Sequence, residues 1–185
     1  MKQILDFVRD FAKVRRWSQT HCAREESSLE HTAAVALIAL KISDECTYEV
    51  NVARLLAKAL LHDMEETITG DIMTPVKYHD PEITKAIKEY ECEAAADVAE
   101  NVFGEWSYGF WLNAKDDTIE GHIVRIADKA SVVYKFRQEI LLGNAGFAQY
   151  EENIWNALHE IKINSKFPEL NPLIDQLMDY LQEKE

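Results

Sequence analysis

Apolar residues recur at three- and four-residue spacing along almost the whole chain, a pattern that predicts helices. In the first segment Ile4, Leu5, Val8, Phe11 and Ala12 fall on one helical face. Ser27-Ser28-Leu29-Glu30 matches a capping box, with Ser27 at the N-cap and Glu30 at N3. The helix it opens carries Ala34, Val35, Ile38, Ala39 and Ile42. Asn51 can cap a third helix through Leu55, Leu56, Ala59 and Leu60 into His62, with Gly70 as its stop. Asp80-Pro81 reads as N-cap and first residue of a fourth, whose seam is Ile83, Ile87, Tyr90, Ala94, Val98 and Val102. Thr118 starts a long helix through Ile119, Ile123, Ile126, Ala130, Val133 and Tyr134, stopped near Gly143. Phe147, Tyr150, Ile154, Leu158 and Ile161 make another, and Asn171-Pro172 opens a last one with Leu173, Ile174, Leu177 and Leu181.

No alternating strand of useful length, internal repeat or low-complexity tract interrupts this pattern. The expected fold is all-α: one domain over residues 1–185, a helical bundle. Only the aromatic-rich stretch 103–117 (FGEWSYGFWLNAKDD) has no assignable element.

Composition narrows the function classes. The 185 residues are 47% apolar and 29% charged, enough for one well-formed core. No run approaches eighteen consecutive apolar residues, so no membrane span is expected. Asp6 and Asp10 interrupt the N-terminal apolar stretch, so it does not read as a signal peptide. Twenty basic against 33 acidic residues give a formal charge of −13, which disfavours duplex nucleic acid as a partner. A small anion remains possible where local cations outweigh the global field. Three cysteines (Cys22, Cys46, Cys92) without CxxC spacing argue for a reducing compartment and against a thiolate zinc site. A cytoplasmic protein is the expectation.

Candidate chemistry begins with His62-Asp63 at the end of the apolar run LLAKALLHD. A histidine capping a helix C-terminus beside a solvated aspartate would leave the same dipeptide. His31 lies one turn into the helix after Ser27, among the small residues Thr32, Ala33 and Ala34; a satisfied core histidine is the bland alternative. Asp128 interrupts the apolar run IVRIADKASVVY, and a carboxylate there must be paired or metal-bound because isolated burial costs several kcal/mol. Arg125 and Lys129 are its obvious ion-pair partners. Taken jointly, two imidazoles and two carboxylates form a plausible set for one divalent transition metal, with Mn, Co, Zn and Fe all chemically suited.

The order His31, His62-Asp63, Asp128 resembles that of the HD-domain metal-dependent phosphohydrolases. The segment HDMEETITGDIMTPVKY (62–78), with Arg16-Trp17 ahead of Glu30-His31, is similar to the bacterial HD-type 5′-deoxynucleotidases. The likeness covers about residues 5–140, and helices in 145–185 complete the bundle. It implies that His31, His62, Asp63 and Asp128 hold the metal, and that Glu66 is the general acid or base. Asp71 would orient water or the metal's surroundings. Glu65 competes with Glu66, but His62 and Glu66 are four residues apart, which on a helix is one face. Arg16 would take the phosphate through its planar fork, with Lys77 adding a second positive charge. Trp17 would pack on the sugar or base and disfavour a ribose 2′-hydroxyl, and Pro75 would shape the pocket wall.

His79, His122 and His159 fall outside these positions and read as surface or helix-face residues. His21, Cys22 and Arg24 lie in the loop between Trp17 and His31. Glu66 and Asp71 could recruit a second ion, although the absence of further motif histidines favours one. Leu29 stands where many relatives have a small residue.

The resulting expectation is a 5′-deoxynucleotidase acting on deoxynucleoside 5′-monophosphates, in a homodimer. One alternative is a deoxynucleoside triphosphate triphosphohydrolase, as in related small phage enzymes, with Lys77, Arg24 and Lys13 as extra phosphate cations. Another is a non-catalytic regulatory module with a structural metal.

Overall fold

The computed structural model describes residues 1–183. Ten α-helices follow in order: α1 (Lys2–Phe11), α2 (Ser28–Glu45), α3 (Val52–Leu61), α4 (Glu66–Thr69), α5 (Thr74–Lys77), α6 (Pro81–Val98), α7 (Trp106–Leu112), α8 (Ile119–Leu141), α9 (Glu151–Ile163) and α10 (Asn171–Gln182). Among the described residues there is no β-strand, only one isolated antiparallel bridge between Arg15 and Ser27. The fold is all-α.

Local cap chemistry fixes where the long helices begin. Ser27 accepts from Glu30 N–H while the Glu30 carboxylate accepts from Ser27 N–H, a complete capping box for α2. Asn51 caps α3, Asp80 accepts from Glu82 and Ile83 ahead of Pro81 on α6, and Thr118 caps α8. Each satisfies amides that would otherwise lack partners at a helix start.

The main core is built by α2, α3 and α8, with α9 and α10 closing one side. Val35, Ala39, Leu55, Ala59, Ile123, Ile126, Ala127, Val133, Phe147, Leu158 and Ile174 are buried there. A second cluster joins Phe7, Phe11, Leu61, Met64, Ala95 and Val98 to aromatic residues of the 103–117 stretch. That stretch, left open by the periodicity, contains α7, preceded by a wide π-turn over Ala99–Phe103.

Several faces differ from the sequence expectation. In α1 the buried residues are Phe7 and Phe11, whereas Leu5 and Val8 are exposed, because Phe7 packs edge-on against Phe103 at 5.0 Å. Leu60 faces solvent and Leu61 is buried. On α6, Ile83 and Tyr90 are exposed and burial starts only at Glu91, since the second cluster reaches only the helix's C-terminal half. The α-helix ends at Val98, and Val102 lies in the π-turn that follows. Tyr134 on α8 is exposed. His122 is not a surface residue: it is buried, shares a 2.9 Å hydrogen bond with Ser165 Oγ and packs against Phe167. His159 lies on the surface, stacked on Trp155, and His79 is exposed.

Candidate metal centre and active site

The helical run carrying LLAKALLHD stops at Leu61, and His62–Glu65 form tight turns in which Met64 N–H bonds to Leu61 O and Glu66 N–H to Asp63 O. His62 and Glu66 therefore do not share one regular helix. The turn frees the side chains of His62 and Asp63 from the roughly 100° separation of neighbours on a helix, and the two converge. His62 Nε2 lies 2.9 Å from Asp63 Oδ2. From α2, His31 Nε2 comes within 3.6 Å of the same oxygen and within 3.2 Å of Asp128 Oδ1 on α8. His31, His62 and Asp63 offer donor atoms all within 4.8 Å of one another.

The imidazole orientations bear on whether a metal fits. His62 Nδ1–H donates to the Ala59 carbonyl at 2.8 Å, which leaves the Nε2 lone pair facing Asp63. His31 Nδ1 shares a 3.1 Å hydrogen bond with Ser131 Oγ. Both Nε2 atoms are buried and face only carboxylate oxygens, with no well-aligned hydrogen bond among the described residues. Two orphaned nitrogens beside two carboxylates are costly for a folded chain unless a cation is held between them. Burial, aided by Arg16, lowers the His31 pKa to about 4, so the ring is neutral, as a ligand must be. This donor set fits a divalent transition metal.

Glu66 opens α4 beside these residues. Its Oε2 accepts a 2.5 Å hydrogen bond from Ser28 Oγ, and Arg16 Nη1 lies 4.0 Å from its Oε1. Burial and the neighbouring Asp63 charge push its pKa up to about 8. Glu65 points elsewhere: it is buried and accepts a 2.5 Å hydrogen bond from Trp111 Nε1 on α7. The pair is thereby separated by geometry.

Arg16 is nearly buried, its Nη1 3.6 Å from Asp63 Oδ2 and its Nε 3.5 Å from Glu26. Trp17 follows at φ +61°, a left-handed backbone uncommon for a bulky residue. That conformation is pinned by Thr20 N–H on Trp17 O, by Arg16 N–H on Glu26 O, and by Asp71, whose Oδ2 accepts from Trp17 N–H at 3.2 Å. Asp71 thus anchors the Arg16–Trp17 backbone. The Trp17 ring packs on Phe147 and Tyr150 and donates to Glu26. Lys77 is paired with Glu91 at 2.6 Å, and Pro75 is exposed in the first turn of α5. Neither touches the histidine–aspartate set.

Two residues escaped the sequence reading. Trp111 fixes Glu65, and Lys115 Nζ donates to Asp128 Oδ2 at 2.7 Å. Lys129 lies 3.6 Å from Asp128 as the sequence suggested, whereas Lys115 takes the place of Arg125, whose guanidinium instead donates to the Lys115 carbonyl. Burial raises the Asp128 pKa, but the two lysines outweigh it and hold the carboxyl well below the usual range. The open groove lined by Tyr78, Pro81, Thr84, Lys88 and Cys92 contains none of the metal-set residues.

Residues 3–179 match the family described as 5′-deoxynucleotidase YfbR-like. A 5′-deoxynucleotidase of Vibrio vulnificus is 30% identical over 156 residues, 80% of each chain. One from Pasteurella multocida is 33% identical over 141 residues, 72% of each. Among solved structures, an HD-domain phosphohydrolase of Listeria innocua superposes with a TM-score of 0.78 and 28% identity, over 99% of this chain and 90% of that one.

Proposed function

Because the chain belongs to the 5′-deoxynucleotidase YfbR-like family, we propose that it hydrolyses deoxynucleoside 5′-monophosphates to deoxynucleosides and phosphate at the His31–His62–Asp63–Asp128 centre. It is an HD-domain metal-dependent phosphohydrolase, all-helical and enzymatic. The observation that carries the site assignment is the pair of orphaned Nε2 atoms facing Asp63 and Asp128, with Glu66 alongside.

In this reading His31, His62, Asp63 and Asp128 hold one divalent ion, drawn from Mn, Co, Zn or Fe. Such an ion supplies Lewis-acid polarisation of the phosphoryl oxygen and a bound water of lowered pKa. Glu66 exchanges protons with the attacking water and the leaving 5′-oxygen. A pKa near neutrality suits that task, and the Ser28 hydroxyl fixes which carboxylate oxygen is free to do it. Arg16 presents its guanidinium to the phosphate and is held at the ligand set by Asp63 and Glu26. Asp71 acts through the backbone of that arginine's neighbour. Trp17 favours the deoxy sugar by shaping the wall behind Arg16, with Phe147 and Tyr150 as its support. Lys77, paired with Glu91 on α6, and Pro75, exposed on α5, take no direct part in this reading.

No described helix is long and apolar enough to cross a membrane. A cytoplasmic location is proposed on the three unpaired thiols, Cys22, Cys46 and Cys92. A homodimer is proposed on the exposure of Trp106 and Leu112 on α7, and sedimentation at micromolar concentration tests it.

Chromatographic product analysis tests the substrate. Metal-stripped protein reloaded with Mn or Co would receive matched deoxy- and ribonucleoside mono- and triphosphates. Deoxynucleoside and phosphate from the deoxy monophosphates support the reading. Intact triphosphate released from a deoxynucleoside triphosphate replaces it.

A further inference from the structure

Lys115 has no part in the roles assigned above. One Asp128 oxygen faces His31 Nε2 at 3.2 Å, and the other accepts from Lys115 Nζ at 2.7 Å. Across His31 Nε2, Asp63 Oδ2 lies 3.6 Å away and is itself 3.6 Å from Arg16 Nη1. Cations therefore flank the ligand set on both sides, Arg16 on Asp63 and Lys115 with Lys129 on Asp128, and Arg16 and Lys115 are near enough that their charges repel.

The placement of Lys115 is built into the fold. Asp116, the next residue, accepts from Lys58 Nζ at 2.5 Å and from Thr118 Oγ1 at 2.6 Å, and Lys58 is itself buried. Arg125 grips the Lys115 carbonyl from the first turns of α8. Gly121 leaves the space that this turn occupies, since a Cβ there would meet the Asp116 backbone. An ammonium has three donors, and Lys115 uses one on Asp128. The side chain is partly exposed beside the ligand set.

We propose that Lys115 is a substrate-binding residue, the second cation of a phosphate subsite whose first is Arg16. The inference rests on the phosphomonoester reading above and names a further residue of that same site. Charge supplies the reason. A divalent ion and Arg16 face Asp63, Asp71 and Asp128, and Glu26 also lies against Arg16, so an anionic substrate needs further positive charge at the site. Lys115 and Lys129 supply that charge, in a chain whose overall charge is −13, and of the two only Lys115 donates a hydrogen bond to the ligand set. Lys129 adds charge 3.6 Å from the same Asp128 oxygen, but only Lys115 hydrogen-bonds to it.

The test compares Mn-loaded wild type, Lys115→Met, Lys115→Gln and Lys115→Arg by bound Mn per chain, by calorimetric affinity for inorganic phosphate, and by kcat and KM for a deoxynucleoside monophosphate. Circular dichroism identifies which of the Met and Gln variants is folded for comparison. Loss of a charge-assisted hydrogen bond predicts phosphate affinity down at least tenfold and KM up by a similar factor, with Mn content unchanged. Lys115→Arg recovers most of the phosphate affinity. Wild-type phosphate affinity in the neutral variants overturns the inference. So does a defect that disappears once Mn is saturating, which would make Lys115 only a partner of Asp128. If wild type turns over no deoxynucleotide yet phosphate binding still depends on Lys115, the anion subsite stands and the nucleotidase reading falls.

Discussion

Ser28 Oγ donates a 2.5 Å hydrogen bond to Glu66 Oε2, tying the first residue of α2 to the first residue of α4. Ser28 is itself fully buried, so the bond is shielded from water. The same helix start that the capping box defines thus orients the Glu66 carboxylate. Glu66→Gln is expected to keep the metal and lose about 10²–10⁴-fold in turnover, the range for a general acid–base group. Metal analysis alongside phosphate release checks it, and full activity in the variant would remove Glu66 from its role.

His62→Ala deletes a buried nitrogen whose partner ring atom is already committed to Ala59 O. Loss of bound Mn by at least tenfold in affinity is the expected result, with helical content retained because the residue lies just beyond α3. Equilibrium dialysis against Mn, with circular dichroism, measures both.

Lys135 and Glu139 form a buried ion pair at 2.6 Å on α8, and the pair holds the loop that follows Arg16 and Trp17. Glu139 accepts from the amides of Ala23 and Arg24, and Lys135 donates to the Arg24 carbonyl. Burial raises the Glu139 pKa, but its bonds to Lys135, Asn144 and those amides bring it down to about 2. A folded pKa below the unfolded value contributes stability that is fully present well above the unfolded value and is lost as pH falls toward the folded one. Glu139→Gln should therefore cost about 3 kcal/mol at pH 7. The gap to wild type should narrow below about pH 4.5. Urea unfolding at pH 7 and pH 4 reads this directly; a pH-independent difference would contradict the assignment.

Gly121→Ala would place a methyl against the backbone and carboxylate of Asp116. Overpacking of this kind costs about 1–3 kcal/mol. Because Asp116 adjoins Lys115, phosphate affinity should fall along with the denaturation midpoint. An unchanged midpoint would show that the turn can move aside.

Much of the fold was legible because cap chemistry is local: Ser27, Asn51, Asp80 and Thr118 announce their helices within three or four residues. Which face a helix buries is not local. Leu5 and Val8 are as apolar as Phe7 and Phe11, and the choice between them depends on Phe103, nearly a hundred residues away. His122 had no sequence signal for burial, since Ser165 and Phe167 come from the loop after α9, more than forty residues on. At the site, His31, His62, Asp63 and Asp128 could be read from residue type and order, and the structure brings them together. Lys115 could not, because a single lysine in an aromatic stretch meets Asp128 only through the turn that Asp116 and Gly121 shape. The left-handed backbone of Trp17 was likewise hidden, being imposed by contacts with Glu26 and Asp71 rather than by its own preference.

The most direct measurement is a titration of metal-stripped protein with Mn, following bound ion per chain and phosphate released from a deoxynucleoside 5′-monophosphate in the same samples. Activity that rises with the first ion and levels off at one per chain is the predicted result. Ion binding at these residues with no phosphate released, or release only after a second ion is bound, would contradict a one-metal phosphomonoesterase centre.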